Sequence, residues 1–120
     1  MSMTILTVDD SRTMRDMLKV ALMDAGYRVI QAVDGQHGLE VLEQETPQVI
    51  ITDINMPRMD GIAFVKEVKK GAHRFTPILV LTTESQNDKK MEGKAAEATG
   101  WLVKPFDESQ LIAVVRKFVR

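Results

Sequence analysis

Hydrophobic and polar positions follow two alternating periods along this chain. Five short runs rich in β-branched residues have the length and composition of strands: Thr4 to Val8, Arg28 to Ala32, Val49 to Thr52, Ile78 to Leu81 and Trp101 to Val103. The segments between them carry the i, i+3, i+4, i+7 spacing of helices that bury one stripe. That spacing is clearest in Met14, Met17, Leu18, Ala21, Leu22 and Ala25, after which Gly26 stands where a helix-ending glycine belongs. A last helix is expected to start at Asp107, with Gln110 as its capping-box partner and Leu111, Val115 and Phe118 on its buried stripe. Ser85 and Asp88 mark a similar start for a fourth helix, Ser85 to Ala98. Its apolar face is mostly alanine, so it should pack loosely enough to shift.

Strand and helix thus alternate five times, which calls for an α/β fold: a doubly wound, five-stranded parallel sheet with five helices on its two faces, joined by right-handed crossovers. The 120 residues suffice for one hydrophobic core, and residues 1–120 are expected to form a single domain. With 44% hydrophobic and 28% charged residues the composition is globular. No apolar run approaches the roughly 18 residues of a membrane span, and the N-terminus lacks the cationic start of a signal peptide. The absence of cysteine excludes disulfides and thiolate chemistry and fits a cytoplasmic location. A net charge of −1 leaves no broad basic face for nucleic acid.

In open parallel sheets, ligands bind beyond the carboxyl ends of the strands. The residues there are Asp9 and Asp10 after the first run, Asp53 after the third, Thr82 and Thr83 after the fourth, and Lys104 after the fifth. The second run ends at Ala32 and Val33 with no comparable group, as expected of a strand at the sheet's margin. Three carboxylates at one edge repel, so at least one should have a raised pKa unless a hard divalent cation such as Mg²⁺ sits among them. An aspartate beside such an ion and a lysine can attack a phosphoryl group and hold the acyl phosphate. A nearby threonine hydroxyl can donate to a phosphoryl oxygen, and an aromatic near the lysine can repack when that threonine moves. Thr82 and Trp101 stand in those places.

Taken singly, each residue has an ordinary explanation. Asp9 and Asp10 could cap the first helix. Asp53 could be a loop acid, Thr82 a strand-end hydroxyl, Lys104 a solvated cation and Trp101 core filler. Convergence of four strand ends on one edge favours the functional reading. The 8 methionines, Met14 and Met17 among them, read as core and gap-filling side chains, and His37 and His73 as surface residues.

The ordered set Val8-Asp9-Asp10, Asp53-Ile54-Asn55-Met56-Pro57 with Asp60-Gly61, Leu81-Thr82-Thr83-Glu84 and Val103-Lys104-Pro105-Phe106 closely resembles the receiver domains of two-component response regulators, in particular the single-domain CheY-like chemotaxis regulators. The resemblance runs from Thr4 to Val119. It implies a flavodoxin-like, CheY-like sheet of order 2-1-3-4-5. It implies Asp53 as phosphoacceptor and as one of the Mg²⁺ ligands, with Asp10 as the main ligand, Asp9 assisting through water and Asn55 offering a backbone carbonyl. Thr82 would be the switch hydroxyl, Lys104 the partner of the phosphoryl group with a cis bond to Pro105, and Trp101 the switch aromatic. It further implies a monomeric binding switch that catalyses only its own phosphorylation and dephosphorylation. A chemotaxis-type histidine kinase would stand upstream, and a flagellar motor switch protein or phosphatase downstream. Three positions depart from the usual pattern: Trp101 in place of a smaller aromatic, Thr83 in place of alanine or glycine, and Glu97 where glycine is common.

A phosphorelay intermediate or phosphate sink shares all of this chemistry, and the sequence does not separate it from a motor-directed switch. Functions of other classes fit less well. An FMN-binding module would want a glycine- and hydroxyl-rich first loop, where Asp9-Asp10-Ser11-Arg12 would repel the anion. A haloacid-dehalogenase-type phosphatase would want a second acid two residues after its nucleophile, where Asn55 stands.

Overall fold

The computed structural model describes residues 3–83 and 98–118. Strands β1 (Thr4–Val8), β2 (Arg28–Ala32), β3 (Val49–Asp53), β4 (Ile78–Thr83) and β5 (Gly100–Lys104) alternate with helices α1 (Arg12–Asp24), α2 (Gly35–Leu42) and α3 (Gly61–Lys69). Helix α4 (Glu108–Phe118) follows β5. The sheet is all parallel with order β2-β1-β3-β4-β5, as expected. Four helices lie among the described residues; the helix expected over Ser85 to Ala98, and Glu97 with it, lie outside them except for Ala98.

Side chains that alternate along each strand feed two cores, one per face. On one face Leu6, Val8, Ile50, Ile78 and Val80 pack with Leu42 of α2 and Phe64, Val65 and Val68 of α3. On the other, Ile5, Val49, Ile51, Leu79 and Leu81 pack with Leu18, Ala21 and Leu22 of α1 and Leu111, Ile112 and Val115 of α4. β3, in the middle, is buried throughout, whereas the edge strand β2 is mostly half-buried. This explains the unbroken apolar stretch of Val49, Ile50 and Ile51 in β3.

Local signals bound the helices: the glycine end of α1 and the capping box of α4 are as expected, whereas the cap of α1 is Ser11 rather than Asp9 or Asp10. Ser11 caps α1 by accepting the Met14 N–H at 3.3 Å. At the other end Gly26, at φ 96°, donates to the Met23 carbonyl, and Tyr27 donates to that of Leu22, which closes a Schellman turn. Asp107 and Gln110 form the reciprocal capping box, with bonds of 2.9 and 2.8 Å.

Several expectations are corrected. β3 extends through Asp53 and β4 through Thr83, because pairing with neighbouring strands carries them past the apolar runs. Met17 and Met23 are exposed rather than core, leaving Leu18, Ala21 and Leu22 as the buried stripe of α1. Phe118 is only half-buried. His37 and His73 are also half-buried and each bonds a backbone group: Nδ1 of His37 accepts the Val33 N–H, and Nε2 of His73 lies 2.8 Å from the Leu42 carbonyl. Among the described residues no helix is long and apolar enough to cross a membrane.

Candidate functional site

Strand register brings the polar groups together. Val8 of β1 pairs with Thr52, Asp53 of β3 with Leu81, and Thr83 of β4 with Lys104. The chain turns into α1 just past β1, so Asp9 and Asp10 stand beside the end of β3. The Asp9 backbone is pinned on two sides: its N–H donates to Ala32, and its carbonyl accepts from the Arg15 guanidinium at 2.8 Å.

One oxygen each from Asp9, Asp10 and Asp53 fall within 4.8 Å of one another. Asp10 is exposed, while Asp9 and Asp53 retain only 1% and 8% of their accessibility. Asp9 Oδ1 accepts the Ser11 N–H at 2.8 Å, but Oδ2 is buried with no hydrogen-bond partner among the described residues. Burial is the chief cause that lifts the Asp9 pKa to about 6; the Ser11 N–H and the Lys104 charge pull it down, and Asp53 and Asp10 push it up. The cap of α1 is Ser11, so helix capping does not account for the acid pair. A buried carboxylate oxygen with an unmet bond, facing two further carboxylates, fits a hard, oxygen-seeking cation such as Mg²⁺.

Lys104 reaches across from β5, its Nζ 3.0 Å from Asp53 Oδ1. Its bond to Pro105 is cis, as expected. Thr82 is buried at the end of β4, and its Oγ1 donates to the Thr83 carbonyl at 3.3 Å. Trp101 pairs with Val80 and packs into the core on the α2 and α3 face, the side to which alternation also sends Thr82. Its Nε1–H is buried with no hydrogen-bond partner among the described residues.

The loop after β3 turns back tightly. The Gly61 N–H donates to the Ile54 carbonyl at 2.7 Å, and a β-carbon at Gly61 would lie 2.1 Å from the Asp53 carbonyl oxygen. Only glycine fits there. Asp60 caps α3 through the Ala63 N–H, and Asn55 is exposed directly after the buried Ile54.

The structure therefore assembles Asp9, Asp10, Asp53 and Lys104, with Thr82 at the adjoining strand end and Trp101 on the neighbouring face. Sequence reasoning passed over Asp34 and Arg58, which join in a bidentate pair at the same edge. Each residue alone carries a local signal, Asp34 before a glycine at a helix start and Arg58 as a cation inside an acid-rich turn, but nothing in the sequence pairs them.

Comparison with known proteins agrees with this geometry. The chain is 36% identical over 120 residues to the response regulator MprA of Mycobacterium tuberculosis, of which it covers 52%. It is 34% identical over 116 residues to the probable transcriptional regulator ycf27 of Porphyridium aerugineum, covering 97% of this chain and 48% of that one. It thus spans about half the length of the curated relatives it matches. The chemotaxis response regulator CheY4 of Vibrio cholerae superposes with a TM-score of 0.92 at 46% identity, covering 98% of this chain and 99% of that one. Residues 5–116 match the response regulator receiver domain, and the chain belongs to that family.

Proposed function

We propose that this chain is a phosphorylation-driven switch in which Asp53 accepts a phosphoryl group from a histidine kinase in an Mg²⁺-dependent reaction. The observation that carries this reading is the meeting of Asp9, Asp10 and Asp53 with Lys104 at one end of the sheet. Lys104 holds Asp53 Oδ1 and leaves the second oxygen to attack phosphorus. The phosphorus–nitrogen bond of a phosphohistidine breaks as the new phosphorus–oxygen bond forms, and the electron pair returns to the imidazole. Bound Mg²⁺ would neutralise phosphoryl oxygens. Asp9 and Asp10 would hold it through their carboxylates and Asn55 through its backbone carbonyl. Lys104 then moves its charge to the phosphoryl group, and Thr82 exchanges its bond to the Thr83 carbonyl for a phosphoryl oxygen. Loss of that bond at the end of β4 biases Trp101, whose Nε1–H has no hydrogen-bond partner among the described residues to hold it in its present position. The chain is a switch rather than a turnover enzyme, for its site offers no general acid at Asn55.

The likeness to CheY4 over nearly the whole of both chains supports a chemotaxis output, in which a motor switch protein or phosphatase reads the face that includes β5 and α4. The matches to about half the length of longer regulators, one named as a probable transcriptional regulator, support a second reading in which this receiver governs an effector on the same chain. A relay or phosphate-sink role uses the same chemistry.

The test is intact mass after incubation with acetyl phosphate, with and without Mg²⁺, on the native chain and on Asp53→Asn. One Mg²⁺-dependent phosphoryl adduct on the native chain and none on the variant is expected. An adduct that persists in the variant would sink the assignment of Asp53.

A further inference from the structure

The loop 54–60 lies between the phosphoacceptor and α3 and carries Asn55, and one of its anchors lies across the sheet edge at the cap of α2. Asp34, 5% exposed, caps α2 by accepting the His37 N–H at 2.8 Å. The same carboxylate accepts two bonds from Arg58, Nε to Oδ2 at 2.8 Å and Nη2 to Oδ1 at 2.9 Å. Every oxygen of Asp34 is thus engaged, in the fork geometry that arginine and a carboxylate share. Arg58 holds this position from φ 66°, a backbone region that costs a residue with a β-carbon free energy. Beside the pair, a β-carbon at Gly35 would meet the Met59 carbonyl oxygen at 2.8 Å, so the loop backbone is seated directly on the start of α2.

We propose that Asp34 and Arg58 are positioning residues for the phosphorylation site: their fork clamps the β3–α3 loop to α2 and so sets the Asn55 carbonyl and Asp53 for the metal. The inference rests on the reading that this site takes Mg²⁺. An arginine at positive φ with a fully engaged buried acid is a costly way to hold a loop that solvent could otherwise satisfy. The cost is explained when the loop carries a ligand whose position matters. Neither residue touches the acid cluster, so both act through the loop backbone.

Three variants test this. Asp34→Asn keeps a capping side chain but loses the charge, Arg58→Asn tolerates positive φ but loses the fork, and the double variant removes both. Mg²⁺ affinity is measured by titration calorimetry. On the metal-free proteins, amide exchange is followed at Met59 and Gly61, whose N–H groups bond within the loop at 2.7 Å, against Ile51 in the core. A clamp predicts Mg²⁺ binding weakened about tenfold in both single variants, the range found when groups behind metal ligands are removed. It also predicts faster exchange at Met59 and Gly61 with Ile51 unchanged, and a double variant no worse than the singles. A purely electrostatic influence predicts opposite signs, weaker binding for Asp34→Asn and tighter for Arg58→Asn, and that result would overturn the proposal. Unchanged affinity alongside faster loop exchange would also overturn it, reducing the pair to a structural contact. If the native chain itself binds no Mg²⁺, the proposed function falls and takes this inference with it; native binding with unaltered variants overturns this inference alone.

Discussion

Two buried aspartates at the same edge of the sheet are each paired with a cation, and the pairings differ in kind. Lys104 gives Asp53 one bond of 3.0 Å to one oxygen, so the other oxygen keeps its lone pairs for chemistry. Arg58 gives Asp34 two bonds, and with the His37 N–H no oxygen of Asp34 is left over. A lysine is a point charge on a flexible stem that can follow a new anion, whereas the arginine fork fixes geometry. The same acid-and-base composition therefore yields a reactive carboxylate in one place and an anchor in the other. Between them stands Asp9, buried, with one oxygen that has no hydrogen-bond partner among the described residues.

The comparison breaks most completely at Asp53. Asp53→Asn should lose all Mg²⁺-dependent labelling while circular dichroism and thermal unfolding stay close to native, because the amide fills the same space.

Asp9 comes next. Its carboxyl ionises near pH 4 in the unfolded chain and at about 6 in the folded one. Between those values the folded state keeps a proton that the unfolded state has released, so stability falls as pH rises through the window and the full penalty stands above it. Asp9→Asn removes that penalty and should stabilise the metal-free protein at pH 7 by roughly 1 to 3 kcal/mol in urea unfolding, while weakening Mg²⁺ binding. The native protein's Mg²⁺ affinity should fall as pH drops through about 6, where protons compete for this group.

A smaller effect would convert one pairing into the other. Lys104→Arg offers a fork to both oxygens of Asp53 and should slow labelling by acetyl phosphate about tenfold at saturating Mg²⁺, since the attacking oxygen becomes a hydrogen-bond acceptor. An unchanged rate would mean that the single-bond geometry of the lysine carries no chemical weight. The smallest separates the two jobs of Asp34: Asp34→Ala should be about 1 kcal/mol less stable than Asp34→Asn by urea unfolding, the usual worth of a cap.

Most of this architecture can be read from the sequence, and the reasons for the rest are physical. β1 and β2 coincide with their expected runs, β1 because the chain turns polar at Asp9 and β2 because its pairing with β1 ends at Ala32, before the exposed Val33. β4 runs on through Thr82 and Thr83, since hydrogen bonding to β5 does not require apolar side chains. The acid cluster and Lys104 were legible because parallel topology sends every strand end to one edge. The Asp34–Arg58 pair was not, for it joins two loops 24 residues apart, and no periodicity relates positions brought together by sheet order alone. Met17 was misplaced because a helical stripe defines a face only to within a residue's breadth, and α1 turns its narrower face of Leu18, Ala21 and Leu22 to the sheet; Met23, read as core from its side chain alone, lies off that stripe.

The central claim is that Asp53, alone among the clustered carboxylates, becomes the acyl phosphate. Borohydride reduction settles it directly, because hydride converts an aspartyl phosphate to homoserine and leaves free carboxylates untouched. After treatment with acetyl phosphate and Mg²⁺, peptide mapping should find homoserine at position 53 and nowhere else. Homoserine at position 9 or 10, or none at all under conditions that give a phosphoryl adduct, would contradict the account.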